Sequence, residues 1–279
     1  MSKVVLITGA SGGIGEATAR RLIHAGHRVY ATARDIRSLT LLEAEGAKLL
    51  RLDVTDPVSA QAAVAAIAAA EGRIDILVNN AGYSQIGAIE TLPLERIRTQ
   101  FETNVFGLLH LTQQVLPVMR AQGVGRIVNI SSIVGRLTFP GAGAYAASKH
   151  ALEAFSDALR FELSGFGIDV VLIEPGLIRT RFTKAVEAQA ISDADDVYAD
   201  FNRQVRESTV GVYESGLLSR LGGEGDDVAR VIERAINARR PRTRYAVTAS
   251  AHLFLGLRRL LPDRLWDKVL RGTYRPPNT

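Results

Sequence analysis

The chain has 279 residues, 47% of them hydrophobic, with a formal net charge of +5. That length suits one large α/β domain with a sizeable core. No run approaches the ~18–20 apolar residues that span a bilayer. The absence of cysteine excludes disulfides and thiolate metal sites. The five histidines show no metal-ligand spacing, so no metal is expected. The opening Met1-Ser2-Lys3 has no signal-peptide form, which predicts a cytoplasmic protein.

The first element is the apolar run Val4-Val5-Leu6-Ile7, as expected of a buried parallel strand. Thr8-Gly9-Ala10-Ser11-Gly12-Gly13-Ile14-Gly15 follows at once, then a helix from Glu16 to Ala25 and a second strand, Val29 to Ala33. Strand, glycine-rich turn, helix and strand together make a dinucleotide-binding signature. Glycines permit positive φ and close approach of backbone to a pyrophosphate, and a helix N-terminus offers free N–H groups. Further strands are predicted near 47–52, 74–79, 125–131, 168–174 and 243–248, and further helices near 36–45, 57–71, 93–120, 144–165 and 226–238. This alternation predicts a Rossmann-type, doubly wound, seven-stranded parallel sheet with helices on both faces. One domain over 1–279 is expected, with no internal repeat or linker. Residues 183–225 break the rhythm and are expected to form a lid over the substrate.

The most telling stretch is Ser132…Tyr145-Ala146-Ala147-Ser148-Lys149. Residues four apart share a helix face, so the Tyr145 phenol and the Lys149 ammonium project into one site. A cation beside a phenol favours the phenolate, which makes the tyrosine usable in proton transfer near neutral pH. A hydroxyl from Ser132 can hold the same substrate oxygen.

Together these motifs resemble the short-chain dehydrogenase/reductase family, in its classical subgroup, over residues 3 to about 183. Thr8-Gly9-x-x-x-Gly13-x-Gly15 resembles the cofactor turn, which implies cofactor contacts from Gly9, Ser11, Gly13, Ile14 and Gly15. Asp53-Val54 is similar to the pair that faces the adenine, and Asn80, Ala81 and Gly82 to the segment after the fourth strand. Pro175, Gly176, Ile178 and Thr180 resemble the loop that binds the nicotinamide half. The resemblance implies a catalytic set of Asn104, Ser132, Tyr145 and Lys149, with Tyr145 and Lys149 also touching the cofactor. It further implies that the helices near 93–120 and 144–165 pair two subunits into a homodimer, often within a homotetramer. Phe106, Leu109, Leu111, Val115, Phe155, Leu159 and Phe161 cannot all face one sheet.

Cofactor choice is read at the end of the second strand. NAD-preferring relatives carry an acidic residue there; this chain has Ala33 and then Arg34, whose guanidinium can grip a phosphate. Arg37 is a second candidate cation, and Asp35 is expected to point away. NADP(H) is therefore the expected cofactor. Gln85, Ile86, Thr138, Phe139, Pro140, Leu177 and Phe182 are candidate pocket residues, mostly apolar, which suits a small hydrophobic carbonyl or alcohol substrate.

Residues 234–279 hold ten Arg and one Lys against Asp263 and Asp267, a surplus of nine positive charges, so the remainder carries a net −4. The basic amphipathic extension over 249–279 fits two readings: a helix pair packed on its own subunit, which is favoured, or a weak peripheral membrane contact. The alternative function is a non-catalytic dinucleotide-binding or nucleic-acid-binding protein on the same fold. The net-acidic body and the complete four-residue set argue for the enzyme and against nucleic acid.

Overall fold

The computed structural model describes residues 2–179, 197–214 and 217–277. Its regular elements in chain order are β1 (Val4–Ile7), α1 (Gly13–His24), β2 (Arg28–Ala33), α2 (Thr40–Ala44), β3 (Lys48–Arg51), α3 (Pro57–Glu71), β4 (Ile76–Asn79) and α4 (Leu94–Phe101). Then come α5 (Leu108–Gln122), β5 (Gly125–Ile130), α6 (Gly143–Glu162), β6 (Ile168–Pro175), β7 (Ile178–Arg179), α7 (Ala199–Glu214), α8 (Leu217–Arg220) and β8 (Gly223–Glu224). The C-terminal part adds α9 (Gly225–Asn237), β9 (Arg244–Val247), α10 (Ala249–Leu260) and α11 (Asp263–Arg271).

Seven strands form one sheet in the order β3-β2-β1-β4-β5-β6-β9, every pair parallel. Strand order reverses between β1 and β4, the point where open α/β sheets form a crevice at their strand C-termini. Both faces are covered. Val5, Ile7, Val78 and Val128 pack with Ala19 and Leu22 of α1 and Ile232 and Ile236 of α9. Their strand neighbours Leu6, Leu77 and Ile127 pack the other way, with Val64 and Ile67 of α3 and Leu111 and Met119 of α5. Alternate residues of a strand face opposite sides. A strand covered on both sides is therefore apolar throughout, as β1 is. Fully burying one such side chain contributes about 1.5–3 kcal/mol, so a polar residue at any β1 position would forfeit that.

Two predicted helices are divided. The segment 36–45 is a 3-10 turn over Ile36–Leu39 followed by α2. Asp35 accepts from the Arg37 backbone, and Ser38 and Thr40 donate to the carbonyls of Asp35 and Arg37. These local bonds compete with a regular helix. The predicted helix 93–120 is interrupted by a π-helical turn over Glu102–Gly107. At Gly107 the helix passes so close to the chain after β3 that a Cβ would sit 2.4 Å from the Val54 carbonyl oxygen.

The C-terminal extension packs on its own subunit. Ala251 of α10 and Trp266 of α11 are buried with Ile133, Val134, Leu137 and Ala146, and Phe254, Leu257 and Leu270 pack alongside. Phe139 meets the Phe254 ring edge-on at 5.5 Å. Among the described residues, no helix is long and apolar enough to cross a membrane.

Candidate active site

The described site candidates follow the C-terminal ends of β1 to β6 or lie on the π-turn and α6. After β1 the chain turns sharply. Gly9 and Gly13 have φ of 65° and 57°, which L side chains rarely adopt. A Cβ on Gly9 would lie 2.9 Å from Ala81 Cα, and one on Gly15 would lie 2.4 Å from the Gly9 carbonyl oxygen. Asn80 ties the turn down: its Nδ2 donates to the carbonyls of Thr8 and Gly9 at 2.9 and 3.0 Å. Thr8 Oγ1 in turn accepts from the Asn80 and Ala81 backbones. Among the described residues, no side chain caps α1 at Gly12, the residue before it. The first turn of α1 therefore keeps N–H groups and a positive dipole end for an anion. Ser11 is exposed on this turn and Ile14 is half-buried.

The segment after β4 leads to Asn104 in the π-turn. Asn104 is buried, its Oδ1 accepting from the Tyr83 backbone at 3.1 Å and its Nδ2 donating to the Tyr83 carbonyl and to Ser148 Oγ at 2.9 and 3.0 Å. Gly82 leaves room for this clasp. A Cβ there would be 3.0 Å from Asn104 Oδ1 and 3.8 Å from Lys149 Nζ. Asn104 and Lys149 thus share one small space, although 45 positions separate them.

Ser132 is extended, just past β5, and accepts from the Val134 backbone at 3.3 Å. Tyr145 and Lys149 sit on one face of α6, with Lys149 Nζ 5.9 Å from the Tyr145 ring centroid. Lys149 Nζ donates to the Ile130 carbonyl at 2.8 Å. Burial disfavours its charge and lowers its pKa from 10.5 to about 8, while the Glu153 carboxylate pulls it back upward. Ser148 completes the group, donating to the Tyr145 carbonyl at 2.7 Å.

At the far end of the crevice, β2 ends at Ala33 and Arg34 is exposed. Its guanidinium lies within electrostatic reach of Tyr83, whose pKa is raised by burial and drawn down by this cation. Arg37 is engaged with Asp35 through both Nε and Nη2 at 3.0 Å, so the second candidate cation is already paired. Asp53 accepts from the Thr55 backbone and hydroxyl, and Val54 is buried.

Pro175 ends β6, and Gly176 donates from its backbone to the Val247 carbonyl at 3.0 Å. A Cβ on Gly176 would be 2.6 Å from both Ser250 Oγ and Thr248 Oγ1, and Ser250 Oγ accepts from the Leu177 backbone. Ile178 is buried in β7. Thr180 and Phe182 lie outside the described residues, as do 183–196 and 215–216 of the expected lid. The described part of that segment includes α7, where Asn202 accepts from the Ala88 backbone and Val205 crowds Gly141. A cleft of about 220 Å³ opens beside it, lined by Pro140, Phe201, Leu270, Tyr274 and Pro276 with the charged Asp267, Arg271 and Arg275.

Sequence reasoning missed Tyr83, Ser148, Glu153, Thr248 and Ser250. Ser148 and Glu153 carried a signal in their helical spacing from Tyr145 and Lys149. Thr248 carried none. It has a φ of 88°, the only positive φ off glycine among the described residues, and it caps α10.

A reversing parallel sheet with a glycine cradle at its switch point and a Tyr–Lys pair on α6 defines a nicotinamide-type oxidoreductase fold. The chain belongs to the short chain dehydrogenase family, whose model matches residues 3–191. It is 39% identical over 98% of its length to "Uncharacterized oxidoreductase YbbO" of Escherichia coli (strain K12), covering 95% of that protein. It is 33% identical to the "NADPH-dependent 3-dehydrocapnine reductase" of Ornithobacterium rhinotracheale, covering 96% of this chain and 95% of that one. A solved short-chain dehydrogenase from Streptomyces avermitilis is 37% identical and superposes with a TM-score of 0.80 over 98% of this chain and 99% of the other.

Proposed function

We propose that this chain is an NADP(H)-dependent oxidoreductase that interconverts a hydrophobic ketone or aldehyde and its alcohol. The observation that carries the proposal is Tyr145 beside Lys149 on α6, with Ser132 at the adjoining strand end and the glycine cradle on the same edge of the sheet. The cradle suits a dinucleotide, because its two closest glycines leave no space for a Cβ and the N-terminus of α1 is uncapped. Gly9, Ser11, Gly13, Ile14 and Gly15 would hold the pyrophosphate; Asp53, Val54, Asn80, Ala81 and Gly82 the adenosine side; Pro175, Gly176, Ile178 and Thr180 the nicotinamide. When bound, the nicotinamide supplies or accepts the hydride.

In reduction, Tyr145 Oη gives a proton to the oxygen of the carbonyl group. Ser132 Oγ donates a hydrogen bond to that oxygen, stabilising charge that grows in the transition state. Lys149, kept cationic, favours the phenolate left on Tyr145 and holds the cofactor ribose. Asn104 fixes the wall behind Lys149 through Tyr83 and Ser148. Oxidation reverses these steps.

Arg34 selects the cofactor. One charge-assisted contact to a 2′-phosphate contributes about 1.5–3 kcal/mol, roughly ten- to a hundred-fold in affinity. The NADPH dependence named for the relative from Ornithobacterium rhinotracheale supports this reading. The mostly apolar candidate pocket residues Ile86, Phe139, Pro140 and Leu177 support a hydrophobic substrate. A panel of aliphatic and aromatic ketones assayed with both cofactors tests the proposal. NADPH should give the higher kcat/KM, and the double change Ala33→Asp with Arg34→Ala should reverse that order. Equal kcat/KM with NADH and NADPH would refute the role of Arg34.

We further propose a homodimer through α5, α6 and the π-turn that precedes α5. Leu111 and Val115 are buried against the sheet, but Phe106, Phe155 and Phe161 are exposed, Phe161 to 85%. A second copy would cover them, and light scattering showing only monomer at micromolar concentration would refute this.

A further inference from the structure

Behind the candidate active site lies a cluster of charges that the reaction above does not use. Tyr145, Lys149, Glu153 and Asp157 succeed one another at intervals of four along α6. Glu153 is 5% exposed, and its Oε2 accepts from Arg244 Nε of β9 at 3.0 Å. Arg244 Nη2 also donates to both oxygens of Asp157 at 2.7 and 2.8 Å. Glu174 of β6 is 3% exposed and lies 3.4 Å from both Arg244 and Arg136. Glu153 Oε1 and Ser131 Oγ are buried without hydrogen-bond partners among the described residues. Gly135 keeps that space narrow: a Cβ there would lie 2.8 Å from Ser131 Oγ, 2.9 Å from Glu153 Cγ and 3.2 Å from the Lys149 carbonyl oxygen.

A buried carboxylate between two cations does more than neutralise one of them. Its field acts on both, and water does not screen it. The groups facing Lys149 are Tyr145 and Glu153 on its own helix, Asn104 on the π-turn, and the Ile130 carbonyl at the end of β5. One step further out, Arg244 pairs with Glu153, Asp157 and Glu174, while Arg160 pairs with Asp157 and Arg136 with Glu174. Among the described residues, Glu153 is the carboxylate whose charge acts directly on Lys149.

We propose that Glu153 is a positioning residue for the redox reaction: it holds Lys149 as an ammonium beside Tyr145, and Arg244 sets how much of that negative charge Lys149 feels. The inference rests on the reading that Tyr145 and Lys149 form the proton-transfer pair, but its test reads Lys149 directly. The chain has five lysines, Lys3, Lys48, Lys149, Lys184 and Lys268. With ¹³Cε-lysine labelling, each gives one titrating NMR signal, and Lys149→Arg identifies the one of interest.

Glu153→Gln keeps the shape and removes the charge. It should lower the Lys149 midpoint by about one unit. Arg244→Gln removes the competing cation and should raise the midpoint, while Arg244→Lys should leave it near the wild-type value. In carbonyl reduction with NADPH and an aromatic ketone, the alkaline limb of kcat/KM should move with the midpoint in each variant. A packing role would not produce opposite shifts. Midpoints unmoved in both variants, or moved in the same direction, would overturn the proposal. If Glu153→Gln does not fold, an unmoved or lowered midpoint in Arg244→Gln overturns it alone. A wild-type protein that reduces no ketone refutes the functional reading, and the NMR titration still decides the coupling.

Discussion

The proposed cofactor half of the crevice and the proposed substrate half are built by opposite means. From β1 to β4 the site is made of missing side chains: Gly9 and Gly15 let backbone approach backbone, and Asn80 pins the result. From β5 onward it is made of added side chains, with Lys149, Glu153, Glu174 and Arg244 buried or half-buried around α6 and aromatic residues of α10 and α11 packed beneath Phe139. A cradle of backbone is a local structure, specified by a few adjacent residues. A buried ionic cluster is assembled from distant elements, and the carboxylates of Glu153 and Glu174 are costly there without their guanidinium partner Arg244.

This contrast predicts how each half fails. The largest stability loss should come from Trp266→Ala in α11. Trp266 is 5% exposed within the cluster that also holds Ile133, Val134 and Leu137, the residues following Ser132. Removing a buried indole costs about 3–5 kcal/mol, measurable by urea unfolding. A loss under 1 kcal/mol would mean that the C-terminal pair does not brace the substrate half.

Gly15→Ala should cost less stability, about 1–3 kcal/mol, yet abolish cofactor binding, because the new Cβ would displace the Gly9 peptide. Gly12→Ala, three residues earlier but with no described atom within 4 Å of the new Cβ, should leave cofactor affinity within about two-fold. Fluorescence titration with NADPH compares the two. Equal effects would show that the cradle is not the binding element.

An effect of opposite sign belongs to Lys149→Met. The unfolded chain keeps the lysine proton up to 10.5, the folded protein only to about 8. Between these values the unfolded state binds more protons, so stability should rise with pH across that window. Below pH 8 the full penalty of burying the ammonium applies. Lys149→Met should therefore stabilise the protein at pH 7 by about 1–3 kcal/mol while removing activity. Thermal unfolding at pH 7 and pH 10 checks this, since the variant's advantage should shrink at the higher pH.

The same contrast explains what could be read from sequence. The cradle, the parallel seven-stranded sheet and the Tyr145–Lys149 pair were legible because adjacency, strand–helix alternation or helical period carries them. The break at Glu102–Gly107 was not, because it arises where Gly107 meets the Val54 carbonyl, a contact between distant segments. Asn104 was placed by its resemblance, while its partners Tyr83 and Ser148 emerged only from the fold. Arg37 looked like a second phosphate ligand until its pairing with Asp35 appeared. The role of Thr248 and Ser250 in bracing Gly176 spans more than 70 positions and leaves no local pattern.

The central claim is that Tyr145 carries the transferred proton. The measurement that tests it most directly is ketone reduction by Tyr145→Phe, assayed beside NADPH affinity in the same preparation. Loss of the phenolic proton should lower kcat by about 10²- to 10⁴-fold, with the NADPH Kd unchanged within about three-fold. A kcat near the wild-type value, with cofactor bound, would contradict the account.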